Sequence, residues 1–128
     1  MPTQGDLLRE RFRRFAARIV KFARTLPRDP AADGMARQLS RAGAGASANY
    51  HSACRGRSRA EFIARLGVAL DEADEAERWL GVLKESGLAS GAELEWLLDE
   101  SAELRAILFA SVTTARLNQR ALQDEQDV

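Results

Sequence analysis

Residues 58–86 read SRAEFIARLGVALDEADEAERWLGVLKES, and Phe62, Leu66, Ala69, Ala73, Ala76, Leu80 and Leu83 fall in it at intervals of 4, 3, 4, 3, 4 and 3. An α-helix turns once in 3.6 residues, so this rhythm stacks all seven on one face and predicts an amphipathic helix with an apolar seam. Ser58 followed by Glu61 has the form of a capping box, in which the two side chains satisfy backbone N–H groups of the first turn. The span to Ser86 would be about 42 Å long, and Gly87 is placed to close it just after the C-cap.

The same rhythm recurs on both sides. Leu8, Phe12, Phe15, Ile19, Phe22 and Leu26 step by 4, 3, 4, 3 and 4, which predicts a first helix with Thr3 and Asp6 as its capping pair and Pro27 and Pro30 as its stop. A second helix is expected after Asp33 as N-cap, along Met35, Leu39, Ala42, Ala46, Asn49 and Ala53, with Gly56 closing it. Its centre, Ala42-Gly43-Ala44-Gly45-Ala46-Ser47-Ala48, holds two glycines that each cost about 1 kcal/mol of helix propensity against alanine. A neighbouring helix that approaches toward the ~8 Å end of the packing range would offset that cost. A phosphate-binding loop is not indicated, because no strand precedes the run and no Gly-Lys-Ser/Thr follows it. Ser90-Gly91-Ala92-Glu93 is expected to cap a fourth helix carrying Leu94, Leu97, Ser101, Leu104, Leu108, Ser111 and Ala115.

Connections this short make consecutive helices antiparallel neighbours. The expected fold is all-α, an antiparallel up-down-up-down four-helix bundle. It forms one domain over residues 1–117, with a polar, acidic tail at 118–128 that is expected to fray.

The totals agree with a single ordered core: 128 residues, 45% hydrophobic and 30% charged, with three prolines. The uncharged residues Ala42 to Ala53 are mostly small and fall short of the ~20 apolar residues a membrane span needs. Cys54 is the one cysteine, which excludes an internal disulfide. With no apolar leader at the start, a cytoplasmic protein without membrane contact is expected.

Net charge is zero, yet residues 1–67 hold 14 Lys/Arg against 5 Asp/Glu and residues 68–128 hold 5 against 14. Such segregation either makes a polyanion-binding face of the basic half or draws the two halves together.

Chemistry is sparse. The di-iron sites that bundles can house need two Glu-x-x-His motifs, and His51 is the one histidine. The cluster Asp71, Glu72, Asp74, Glu75, Glu77 points mostly away from the Phe62/Leu66/Ala69 seam, as a charged face does. His51 and Cys54 lie three apart, but a Cys–His nucleophile needs a third orienting group and a pocket; Cys54 is expected to pack and His51 to be an ordinary polar residue. No hydrolase or kinase motif is present. Neither enzymatic activity, a cofactor nor a metal is expected.

Asn49 falls in line with Ala46 and Ala53, where a polar residue would fix helix register. Trp79, Trp96 and Phe109 lie off the seams, beside Leu80, Leu97 and Leu108, and are candidate anchors of self-association. Combined with the opposite charge of the two halves, they favour a head-to-tail interface that closes into a ring.

From about Arg37 to Leu88 the chain resembles the bacterial four-helix-bundle proteins encoded by intervening sequences of large-subunit ribosomal RNA genes. The resemblance is carried by Ser47-Ala48-Asn49-Tyr50, Cys54-Arg55-Gly56-Arg57-Ser58, Glu61-Phe62, Asp71-Glu72-Ala73-Asp74-Glu75 and Trp79-Leu80. It implies a homopentameric ring with no enzymatic activity. It also implies kinship with accessory proteins of diversity-generating retroelements, which bind nucleic acid and a reverse transcriptase. Many members carry a glutamate where this chain has Ser52.

Two functions follow as expectations. One is a homo-oligomeric scaffold, pentameric by the resemblance, that contacts RNA or DNA and an associated protein. Its candidate contacts are Arg9, Arg11, Arg13, Arg14, Arg18, Lys21 and Arg24 of the first helix, with Arg55, Arg57 and Arg59 of the second turn. The alternative is an assembly module whose basic residues face its own acidic helices, with no nucleic-acid role.

Overall fold

The computed structural model describes residues 1–127 and contains four helices: α1 (Gln4–Ala23), α2 (Pro30–Cys54), α3 (Arg59–Glu85) and α4 (Ala92–Gln126). Among the described residues there is no strand, and no helix is long and apolar enough to cross a membrane. Each helix packs on the next, and α1 closes the square against α4. Across either diagonal no pair of Cα atoms comes within 8 Å, which is the layout of an antiparallel four-helix bundle. The α2–α3 seam is the most extensive and the α1–α4 seam the slackest.

The seams enclose the core as the spacing predicts. Phe12, Phe15 and Ile19 of α1, Leu39, Ala42 and Ala46 of α2, Leu66 through Leu83 at their 3–4 steps on α3, and Leu94, Leu97, Leu104 and Leu108 of α4 are buried. The Ser101 hydroxyl, fully buried among them, donates to the Leu98 carbonyl of its own helix.

Three seam positions shift by one residue. Tyr50, not Asn49, is the buried member on α2, and its ring stacks on Phe12 with centroids 5.0 Å apart. Ile63 is more buried than Phe62, and Val112 takes the place expected for Ser111. Steps of 3 and 4 both fit a 3.6-residue turn, so the pattern leaves such choices open; Tyr50 and Val112 take the interior from the polar Asn49 and Ser111, while helix rotation alone turns Ile63 further inward than Phe62.

Two helix starts also differ. The N-cap of α2 is Asp29, whose carboxylate accepts from the Ala32 N–H at 2.9 Å, with Pro30 at the first position and Asp33 in the first turn. Pro30 therefore opens a helix instead of ending one, since its fixed φ suits that position and the missing N–H would have been unpaired there. The N-cap of α4 is Gly91 at φ +110°, with no side-chain cap, so Ser90 does not form the expected box. The Thr3–Asp6 box is present in both directions, and Ser58 accepts from the Glu61 N–H.

Gly87 takes the left-handed conformation at φ +75° after α3. Gly56 has no such φ; it is small because a β-carbon would stand 3.2 Å from the Ala53 carbonyl oxygen and 3.3 Å from the Phe62 nitrogen, where the α2–α3 turn folds tightly. Residues 118–126, expected to fray, continue α4 as helix with every side chain exposed, and Val128 lies outside the described residues.

Candidate assembly and polyanion surfaces

Folding brings the basic first half against the acidic second half. Arg11 of α1 reaches α4 and holds Glu100 with two hydrogen bonds, Nε to Oε2 at 2.9 Å and Nη2 to Oε1 at 2.6 Å, with Glu103 a further 3.0 Å contact. Both members of the Arg11–Glu100 pair are largely shielded, and the carboxylates raise the Arg11 pKa. Arg18, two turns on, makes the same fork onto Glu93 at 3.0 and 2.7 Å and lays its guanidinium 3.4 Å from the centroid of the Trp96 ring. The Arg18 hydrogen bonds hold the Glu93 carboxyl below the usual glutamate range.

Of the other expected contacts on α1, Arg9 pairs with Asp6 and Arg13 with Glu10 within the helix. Arg14, Lys21 and Arg24 are exposed and without an ion-pair partner among the described residues. Four of the seven cations expected as contacts in this segment are thus met by carboxylates of their own chain. Arg9 and Arg13, with their partners Asp6 and Glu10, line a groove of about 740 Å³ opposite His51 and Ser52 of α2.

The acidic cluster of α3 is partitioned in the same way. Arg41 of α2 bridges Glu72 at 3.3 Å and also binds Glu75, Arg105 of α4 binds Glu77 at 3.1 Å, and Asp74 pairs with Arg78. Arg41 and then Trp79 hold Glu75 below the usual range, whereas burial pushes Glu72 up despite Arg41. Among the described residues no three His, Cys, Asp or Glu converge as metal ligands. The Arg41 and Arg105 clamps escaped sequence reasoning because their partners lie about thirty residues away, where no local spacing rule reaches.

Cys54 is exposed, contrary to the expected packing role, because the α2 seam runs through Tyr50 and Ala53, the latter buried as its spacing predicts. His51 is exposed. Burial, and then Cys54 beside it, raise the Tyr50 hydroxyl pKa. Asn49 is half-buried and donates to the Gly45 carbonyl of its own helix at 2.9 Å.

The off-seam aromatics separate into three cases. Trp79 packs on the core and donates to Glu75 at 3.2 Å. Trp96, 36% exposed, is covered on one face by Arg18. Phe109 is 63% exposed.

At the end of the bundle formed by the α2–α3 turn, Arg55, Arg57 and Arg59 are exposed and unpaired among the described residues. Beside them opens a groove of about 720 Å³ between Arg59 and Phe62 of α3 and Ala110, Ser111, Thr114, Ala115 and Asn118 of α4. Sequence reasoning missed this groove, since it arises from how far each helix extends and not from any motif.

The chain is similar to a solved protein of unknown function from the S23 ribosomal protein family of Bacteroides thetaiotaomicron. The two share 29% sequence identity and a TM-score of 0.78 over 87% of this chain and 99% of that one. None of the curated proteins compared with the chain matches it. The profile of 23S rRNA-intervening sequence proteins matches residues 8–110, from the second turn of α1 to the middle of α4. With that span and the bundle it encodes, the chain belongs to the 23S rRNA-intervening sequence protein family.

Proposed function

We propose that this protein is a non-enzymatic assembly module that associates with copies of itself, the pentameric ring being the favoured form. Phe109 carries the reading: it is a phenylalanine left 63% exposed on a helix whose own seam is already filled by Leu104, Leu108 and Val112. Aromatic side chains left in that state are typical anchors of protein interfaces. Trp96, held in place by Arg18, offers a second and pre-ordered contact. Cys54, free and exposed, fits a reducing compartment such as the cytoplasm.

Light scattering tests the reading. A pentamer would weigh about 70 kDa against 14.1 kDa for one chain, and Phe109→Asp is expected to lower the mass of the particle. A wild-type chain that stays at the mass of one copy at every concentration refutes it.

A second function is supported at the turn end. With four cations of α1 satisfied inside the chain, the exposed and unpaired Arg55, Arg57 and Arg59 are better placed than α1 to meet phosphates. Binding to mixed RNA or DNA should fall steeply with salt. Replacing these three by alanine should weaken it more than replacing Arg14, Lys21 and Arg24; no binding at low salt removes this function.

A further inference from the structure

On α4 the residues Ser111, Ala115, Asn118, Leu122 and Glu125 follow one another at steps of 4, 3, 4 and 3, which puts them on one helical face. The first three form one wall of the open groove whose other wall is Arg59 and Phe62. α1 does not cover this groove, because its first turns, Gln4, Leu7 and Leu8, lie beside Ile107, short of it. Past Asn118 the helix runs on to Gln126, about 12 Å further, with all its side chains exposed and Leu122 at 43%.

One continuous face therefore begins inside a groove and ends beyond the bundle. Its tip carries Glu125, and the groove's rim carries Arg59; neither has an ion-pair partner among the described residues. A straight helix cannot bring its own tip back to its own groove. A second helix can, if it runs antiparallel: each acidic tip then meets the other copy's basic rim, whereas parallel alignment would set acid beside acid.

We propose that this face docks a second copy of the chain through an antiparallel α4–α4 contact about a two-fold axis near Asn118. Leu122 of each copy enters the groove of the other between Ala115 and Phe62, and Glu125 of each meets Arg59 of the other. Such a contact is isologous and closes at two copies; between rings it joins them end to end. It extends the self-association proposed above to a second surface. The residues that make it on α4 lie beyond the span matched by the family, which stops at residue 110.

Light-scattering mass across a concentration series tests it on full-length chains, with circular dichroism confirming that each variant remains helical. Leu122→Glu is expected to halve the particle mass. Arg59→Glu should weaken the same association about tenfold, and the exchange Arg59→Glu with Glu125→Arg should restore it. An assembled wild type whose mass is unchanged by Leu122→Glu but falls with Phe109→Asp overturns the α4 contact and leaves the ring reading intact. Failure of the exchanged pair to recover overturns the antiparallel pairing. A wild type that never exceeds one copy overturns both.

Discussion

Gly43 of α2 lies flush against Ile19 of α1: a β-carbon on the glycine would stand 2.9 Å from Ile19 Cδ1 and 3.1 Å from its Cγ2. Ile19 is fully buried, so it cannot swing clear. Gly45, on the neighbouring face, meets α3 in the same manner, with a β-carbon 3.0 Å from Glu72 Cδ. The two glycines thus let α2 approach two helices at once.

Gly43→Ala should therefore destabilise the protein even though alanine is the better helix former. The propensity gain of about 1 kcal/mol is opposed by overpacking of about 1–3 kcal/mol. A net loss near 1 kcal/mol is expected, a fall of roughly 3–4 °C in Tm for a domain of this size. Gly81 of α3 supplies the contrast, since nothing lies within 4 Å of a β-carbon there; Gly81→Ala should raise stability by about 0.5–1 kcal/mol. Thermal melts of the two variants that moved in the same direction would contradict this account.

The Ala-Gly run was legible because a helix with two costly glycines in a row of small residues needs a close neighbour, and both glycines have one. The 3–4 stripes were legible for the same kind of reason, since burial of one face follows from period alone. What period cannot decide is the choice between adjacent residues, and there Tyr50, Ile63 and Val112 displaced the expected Asn49, Phe62 and Ser111. Long-range ion pairs such as Arg41–Glu72 and Arg11–Glu100 were visible only as a charge imbalance between halves. Their partners are chosen by helix rotation, which sequence spacing does not report. Pro30 and Gly91 show the same limit at helix ends, where one residue's φ decides between neighbouring caps.

Trp96 should report on the α1–α4 seam. Arg18 covers one face of its ring at 3.4 Å, so Arg18→Ala exposes the indole to water. In a Trp79→Phe background, which leaves Trp96 as the one indole, its fluorescence emission is expected to shift to the red. Arg18→Lys should recover this only in part, because an ammonium lacks the flat face that stacks on the ring and the fork that holds Glu93. An emission maximum unmoved by either substitution would show that the stack does not persist in solution.

Acid should loosen the bundle. Asp6, Glu75 and Glu93 are held below their ordinary values by hydrogen bonds from Thr3, Arg41 and Arg18 respectively. A carboxylate with a depressed folded pKa contributes its stability above the unfolded value and loses it as pH falls through the folded one. Tm is expected to hold at neutral pH and decline below the ordinary glutamate value of 4.5. Glu93→Gln should flatten that decline. Glu72 runs the other way, because burial raises it and the fold favours its protonated form. Glu72→Gln should accordingly make the acid-side fall steeper. A melt series from pH 7 to 3 with no slope below 4.5 would show that these pairs add nothing to stability.

Arg11–Glu100 and Arg18–Glu93 join the same two helices with the same bidentate geometry, yet they differ in exposure. The side chains are 26% and 12% exposed in the first pair and 39% and 44% in the second. Water and salt screen the outer pair more fully, since mobile ions reach exposed charges within a Debye length and are kept from shielded ones. A double-mutant cycle with alanine at Arg11 and Glu100 is expected to give a coupling of about 1 kcal/mol that survives in high salt. The cycle at Arg18 and Glu93 should start smaller and vanish as salt is raised. If both couplings disappear together, the inner pair is as open to solvent as the outer one, and the α1–α4 seam is held by its apolar contacts alone.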